Sequence, residues 1–209
     1  MYQINEEIRQ YIETNIFPEY DKNEEGHGIT HIKDVIRRSF DIIKQNELDV
    51  NHNIVYVIAA YHDIGHHIDA ENHEKISAEI MSKDKNLKQF FSNEELILIK
   101  EAIEDHRASS KNEPRTIYGK IVSSADRNNT VEQCLERTYS YGKRHNPKAT
   151  NREIYEDSFE KLTKKFGING YAKYYFRDNE YEEFLKNIRY LLEDKEKFCK
   201  TQDNYIKNR

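Results

Sequence analysis

Apolar residues recur at helical spacing along most of this chain. Residues 3–15 place Ile4, Ile8, Tyr11 and Ile12 on one face. From Thr30 to about Glu47, the residues Ile32, Val35, Ile36, Ser39, Phe40 and Ile43 follow the i, i+3, i+4, i+7 rule of an amphipathic helix. Between them, PEYDKNEEGHG combines a proline, charges and two glycines, and a loop is expected there. NIVYVIAAYHDIG is apolar nearly all round, which fits a buried strand or a buried helix; its helical flanks and its Ala-Ala pair select helix. HEKISAEIMSK is a short amphipathic helix. Ser92 to Glu95 form a capping box ahead of Leu96, Ile99, Ala102 and Ile103. TIYGKIVSSADR is another mostly buried helix, and residues 130–142 follow as helix. Thr150 to Glu153 form a second capping box before Tyr155, Phe159, Leu162 and Phe166. Asp178 caps a last amphipathic helix over residues 180–198, with Phe184, Ile188, Leu191 and Leu192 inward. No pair of alternating strands appears. The pattern predicts an all-α bundle of about nine helices.

The length of 209 residues fits one domain, and only 7 glycines and 3 prolines argue against an all-β fold. Net charge is −5 with acids and bases interleaved, so no extended nucleic-acid surface is expected. No apolar run reaches the roughly 18 residues of a membrane span, and the N-terminus lacks the basic start and apolar run of a signal peptide. Cys134 and Cys199 have no CxxC partner, which fits reduced thiols in a cytoplasmic protein.

Candidate chemistry sits where the apolar helices begin and end. His31 opens the second helix, one residue before its apolar stripe. His62 and Asp63 close the buried third helix, His106 shares the face of Ile99 and Ile103, and Asp126 ends the run KIVSSAD. A buried ionised aspartate is costly unless paired or bound to a cation. One cation would satisfy Asp63 and Asp126 together, and mixed imidazole and carboxylate ligands suit Fe, Mn, Zn, Co or Ni better than Mg or Ca. Each residue also has a purely structural reading: a satisfied core histidine at 106, a helix cap at 126, an arginine partner for Asp63. The combination carries the signal.

HGITHIKDVI, AAYHDIGH, IKEAIEDH and KIVSSADR together resemble the HD-domain metal-dependent phosphohydrolases. The resemblance covers roughly residues 25–130, with a helical extension over 131–209, and implies one HD-type domain spanning 1–209. It implies that His31, His62, Asp63 and Asp126 hold a first divalent transition metal. His73 and His106 look like the added histidines of binuclear subgroups, although His73 follows Asp63 by only ten residues. The implied reaction is hydrolysis of a phosphoester or phosphoanhydride by metal-activated water. Asp63 or Asp126 would orient that water, and His66 would donate a proton or a hydrogen bond to a phosphoryl oxygen or else face solvent. Lys120, Arg127, Lys143 and Arg144 are candidate phosphate contacts. Arg127 has a surface position as its alternative, and GKRHNP at 142–147 is expected as a basic loop. His27 would lie at a pocket mouth, or in a mobile loop between its two glycines. His67 has no role. No GYP tripeptide follows HDIG, which disfavours the cyclic-dinucleotide subgroup. The size and the HGITHI opening are similar to small stand-alone bacterial HD proteins, so a small nucleotide is the expected substrate. A diiron oxygenase on the same fold, a non-catalytic nucleotide sensor and a helical structural protein are the competing readings.

Overall fold

A computed structural model describes residues 3–24, 26–108, 110, 112–127, 130–172 and 174–208. Among them are ten α-helices, two 3-10 helices and no strand. The α-helices are α1 (Glu6–Asn15), α2 (Ile29–Gln45), α3 (His52–Tyr61), α4 (His73–Lys83), α5 (Asn93–Glu104), α6 (Ile117–Ala125), α7 (Val131–His145), α8 (Asn151–Phe166), α9 (Asn179–Leu191) and α10 (Lys195–Lys207). The 3-10 turns are Phe17–Lys22 and Lys85–Gln89. The first of these falls in the expected PEYDKNEEGHG loop, where Pro18 supplies a fixed φ at a helix start.

Contacts divide the chain into two compact units. The first comprises Met1–Asp126 with Tyr174–Arg177. Its centre is α3, in which every residue from Ile54 to Tyr61 is buried. Helices α1, α2, α4, α5 and α6 all pack against it. This is why the α3 sequence shows no polar face: it has neighbours all round. Fully burying one of its Ile or Val side chains contributes roughly 1.5–3 kcal/mol. Both expected capping boxes form, Ser92 with Glu95 on α5 and Thr150 with Glu153 on α8.

The second unit comprises Arg127–Lys173 with Asp178–Arg209. It holds a separate core of Leu135, Tyr155, Leu162, Phe166, Phe184, Ile188 and Phe198, with both free cysteines buried in it. Here the expected last helix proves to be two. Leu192 ends α9, and Asp194 adopts φ −136°, ψ 112° while its carboxylate accepts the Lys197 N–H at 3.0 Å. An aspartate offers its backbone this alternative to helix continuation. The break is hidden in the pattern because Phe198 falls seven residues after Leu191 and keeps the apolar stripe in phase. GKRHNP is likewise not a loop at its start: Lys143, Arg144 and His145 form the last turn of α7.

Candidate metal centre

The ends of the first-unit helices deliver the histidines and aspartates to one place. Helix α3 stops at Tyr61, and the HDIGHH segment continues as tight turns rather than α-helix: the N–H groups of Ile64, His66 and Ile68 donate to the carbonyls three residues earlier. The end of α3 is pinned from outside, since the Tyr20 hydroxyl donates to the Ala60 carbonyl at 2.8 Å. The end of α6 is held by Arg38, a fully buried residue whose guanidinium donates to the Ala125 carbonyl, directly before Asp126.

Gly65 explains its own presence. A β-carbon there would lie 2.6 Å from Ile76 Cγ2 and 2.9 Å from the Ser77 nitrogen. The Gly65 N–H donates to Ser77 Oγ at 3.0 Å. The turn carrying Asp63 is thus pressed directly onto α4, whose first residue is His73.

Asp63 sits at the middle of the cluster, and its two oxygens face different imidazoles. Oδ2 lies 2.8 Å from His27 Nδ1 and 3.6 Å from both His31 Nε2 and His62 Nε2. Oδ1 lies 3.2 Å from His73 Nε2 and 3.4 Å from His106 Nε2. Asp126 Oδ1 closes the first side, 3.1 Å from His31 Nε2 and 3.7 Å from His62 Nε2. Three overlapping groups result, each with ligand atoms within 4.8 Å of one another: His27, His31 and Asp63; His31, His62 and Asp126; His62, Asp63 and His106.

Backbone carbonyls fix how three of these rings turn. His62 Nδ1 lies 2.8 Å from the Ala59 carbonyl, His73 Nδ1 2.9 Å from that of Ala70, and His106 Nδ1 2.7 Å from that of Ile103. A carbonyl can only accept, so each Nδ1 carries a proton and each ring turns its Nε2 inward, where that nitrogen offers a lone pair whenever it is deprotonated. His73 Nε2 and His106 Nε2 meet at 3.1 Å, a separation that a shared proton or a common cation would satisfy. His31 Nε2, His62 Nε2 and Asp63 Oδ1 are sealed from water and complete no hydrogen bond. Buried polar atoms are rarely left so. This donor set of imidazole nitrogens and carboxylate oxygens fits a divalent transition cation.

Electrostatics agree. Burial alone would raise the Asp63 carboxyl, but the charge of His62 and the His106 and His27 imidazoles hold it well below the usual carboxylate range. Asp126 is likewise opposed by burial and held well below that range by His31 and His62. Burial disfavours the charged form of His62, yet the two carboxylates outweigh it and bring this imidazole up to about 9. Burial lowers His31 and His73. It also brings His66 down to about 4, with the neighbouring His27 adding to the effect.

His31, His62, Asp63, His73, His106 and Asp126 therefore come together, and His66 joins them, buried and stacked on His27 at 3.8 Å between ring centres. The four basic candidates have other local company. Lys120 lies 3.8 Å from Glu113, with its ammonium 5.4 Å from the centre of the Tyr175 ring. Arg127 is buried rather than superficial, its guanidinium 5.9 Å from the Tyr181 ring centre. Lys143 lies 5.6 Å from the Tyr139 ring centre, and Arg144 is exposed. Both complement the negative end of α7.

His27 contributes more than its loop position suggested. Gly26, at φ 98°, turns the chain so that the His27 ring reaches Asp63. Its four-residue spacing to His31 was the available signal.

The HD domain family model matches residues 28–129. An uncharacterized protein of Clostridium beijerinckii is 34% identical over 112 residues, covering 52% of this chain and 71% of that protein. No solved structure matches. No helix among the described residues is long and apolar enough to cross a membrane. The matched segment begins at the residue before α2 and ends just beyond Asp126, so it spans His31, His62, Asp63, His73, His106 and Asp126: the chain belongs to the HD-domain family.

Proposed function

We propose that this chain is a metal-dependent phosphohydrolase acting on a small phosphorylated substrate, a nucleotide by preference. The observation that supports this reading best is the set of Nε2 atoms turned in around Asp63 by backbone carbonyls, with His62 Nε2 and Asp63 Oδ1 buried and completing no hydrogen bond. In it, His31, His62, Asp63 and Asp126 would hold one cation, and His73 and His106 together with Asp63 would hold a second. A bound divalent cation supplies a water of lowered pKa and draws charge from the phosphoryl group.

The chain's own residues do the rest. Asp63 and Asp126 accept hydrogen bonds from the attacking water and so orient it. His66, kept neutral by burial, offers a ring N–H to a phosphoryl oxygen. Side-chain exposure marks the way in: His27 is 27% exposed, Asp126 20% and His31 12%, whereas His62, Asp63 and His106 are at most 2% exposed. Substrate therefore approaches from the His27, His31 and Asp126 side.

The test is metal analysis of protein purified without chelators, followed by nucleotides and other phosphoesters assayed with Mn, Co, Ni, Zn and Fe. Wild type should carry one or two metals and release phosphate, His62→Ala should lose at least 100-fold in rate, and His73→Ala should lose one metal of two. A nucleotide that binds tightly but is never turned over would sink the enzyme reading. Substrate-dependent O₂ consumption by the iron form without phosphate release would replace it with the oxygenase.

A further inference from the structure

Asn23 uses every hydrogen-bonding position of its side chain, and all of them reach the metal-centre turn or the His27 loop. Its Nδ2 group donates to the Asp63 carbonyl at 3.0 Å and to the His27 carbonyl at 2.9 Å. Its Oδ1 accepts the His67 N–H at 3.0 Å and lies 3.1 Å from His67 Nδ1. An asparagine amide has two N–H donors and an oxygen with two lone pairs, so nothing is left over.

The local chain puts Asn23 where it can do this. It caps the Phe17–Lys22 turn with φ −79°, ψ 152°, its own N–H donating to the Tyr20 carbonyl at 3.1 Å. Tyr20, three residues earlier, is the buried side chain that pins the end of α3 through Ala60. One short turn therefore holds the end of α3 at residue 60 and the segment after it at residues 63 and 67. Through Asn23 it also holds the loop that carries His27.

The two chain segments tied by Asn23 meet again at their side chains. His27 Nδ1 is 2.8 Å from Asp63 Oδ2, and the His27 ring stacks on His66. The Asp63 carboxylate must divide its oxygens between His31 and His62 on one side and His73 and His106 on the other. A rotation of the Asp63 backbone would spoil both sets of contacts.

We infer that Asn23 is a positioning residue for the metal centre: its two amide N–H groups set the Asp63 backbone and the His27 loop against each other. The inference rests on the metal-dependent reading above and adds a residue outside the matched HD segment, which starts at residue 28. It also accounts for His67, whose backbone N–H serves the same clip while its ring takes no part in the metal centre.

The test measures Mn²⁺ affinity by calorimetry in wild type, Asn23→Ala, Asn23→Asp and His67→Ala, at a temperature where thermal denaturation shows each to be folded. Aspartate keeps the oxygen that receives the His67 N–H but loses both N–H donors. Asn23→Ala and Asn23→Asp should each bind Mn²⁺ about 10- to 100-fold more weakly, the usual effect of removing a group that orients a ligand. His67→Ala removes one partner of the Asn23 oxygen but leaves both Asn23 N–H bonds in place, so it should weaken Mn²⁺ binding less than either Asn23 variant. With substrate, the two Asn23 variants should lose kcat at saturating Mn²⁺ with KM little changed. Wild-type Mn²⁺ affinity in Asn23→Ala, or full recovery in Asn23→Asp, would overturn the inference even if the melting temperature fell. Failure of wild type itself to bind any Mn²⁺ would instead overturn the metal-dependent reading, and this inference with it.

Discussion

Consider Gly65→Ala, a change of one methyl group at a turn that no substrate is proposed to touch. The added carbon would sit 2.6 Å from Ile76 Cγ2, 2.9 Å from Ile76 Cβ and 2.9 Å from the Ser77 nitrogen. Relaxed contacts to carbon need about 3.5–4.0 Å. The Ile76 methyl can rotate aside, but Cβ and the Ser77 nitrogen move only with α4. The turn must therefore lift from the helix by about 1 Å, stretching the Gly65–Ser77 hydrogen bond. Overpacking of this kind costs roughly 1–3 kcal/mol. For a chain of this size that lowers Tm by roughly 2–12 °C. The same displacement moves Asp63 away from His73 on the first turn of α4, opening their 3.2 Å contact toward about 4 Å. Metal affinity should fall about tenfold or more. The assay is thermal denaturation in chelator, paired with calorimetric Mn²⁺ titration. Gly28→Ala is the control: a β-carbon there meets nothing within 4 Å, and only the modest loss of a glycine helix cap, about 1 kcal/mol or less, is expected. If Gly65→Ala melts within a degree of wild type and binds Mn²⁺ equally well, the turn is not clamped against α4 and the argument fails.

Stability of the metal-free protein should peak near pH 6.5. His62 is raised to about 9, so its contribution is complete below about 6.5 and is lost as pH rises through 9. His31, His66 and His73 are lowered, so the unfolded chain takes up their protons first and stability falls as pH drops below about 6.5. The His62 limb is on the order of 2–3 kcal/mol; melting curves between pH 4.5 and 9.5 in chelator check it, and a flat profile from 6.5 to 9 would refute the His62 assignment. Asp194→Ala should cost about 1 kcal/mol by removing the α10 cap, visible as faster hydrogen exchange at the start of α10; unchanged exchange there would refute the capping role of Asp194.

The helices were legible because burial imposes a period on the sequence. The metal-centre candidates were legible because His31, His62, Asp63 and Asp126 each stand at an end of an apolar run, where a buried polar group needs a reason. His106 showed itself by sharing a face with Ile99 and Ile103. What stayed hidden depends on contacts between segments far apart in sequence. Asn23 reaches Asp63 across 40 residues and His67 across 44. His27 lies between glycines, whose conformational freedom gave no direction until Gly26 took its positive φ. The α9–α10 break was masked because apolar phase continues across it, and only the local bond of Asp194 interrupts the helix. The basic residues were the least legible: a charge run shows neither its partners nor its direction, and Lys143 and Arg144 proved to be a helix end.

The division of Asp63 between two sets of imidazoles has a thermodynamic consequence. Cations held on its two sides would draw on the same carboxylate, so their occupancies cannot be independent. Reciprocity then requires that whatever factor the first ion imposes on the affinity of the second, the second imposes on the first. Titration of the wild type should depart from two independent sites, and removing His73 and His106 should alter the affinity measured at His31, His62 and Asp126 without touching any of those three residues.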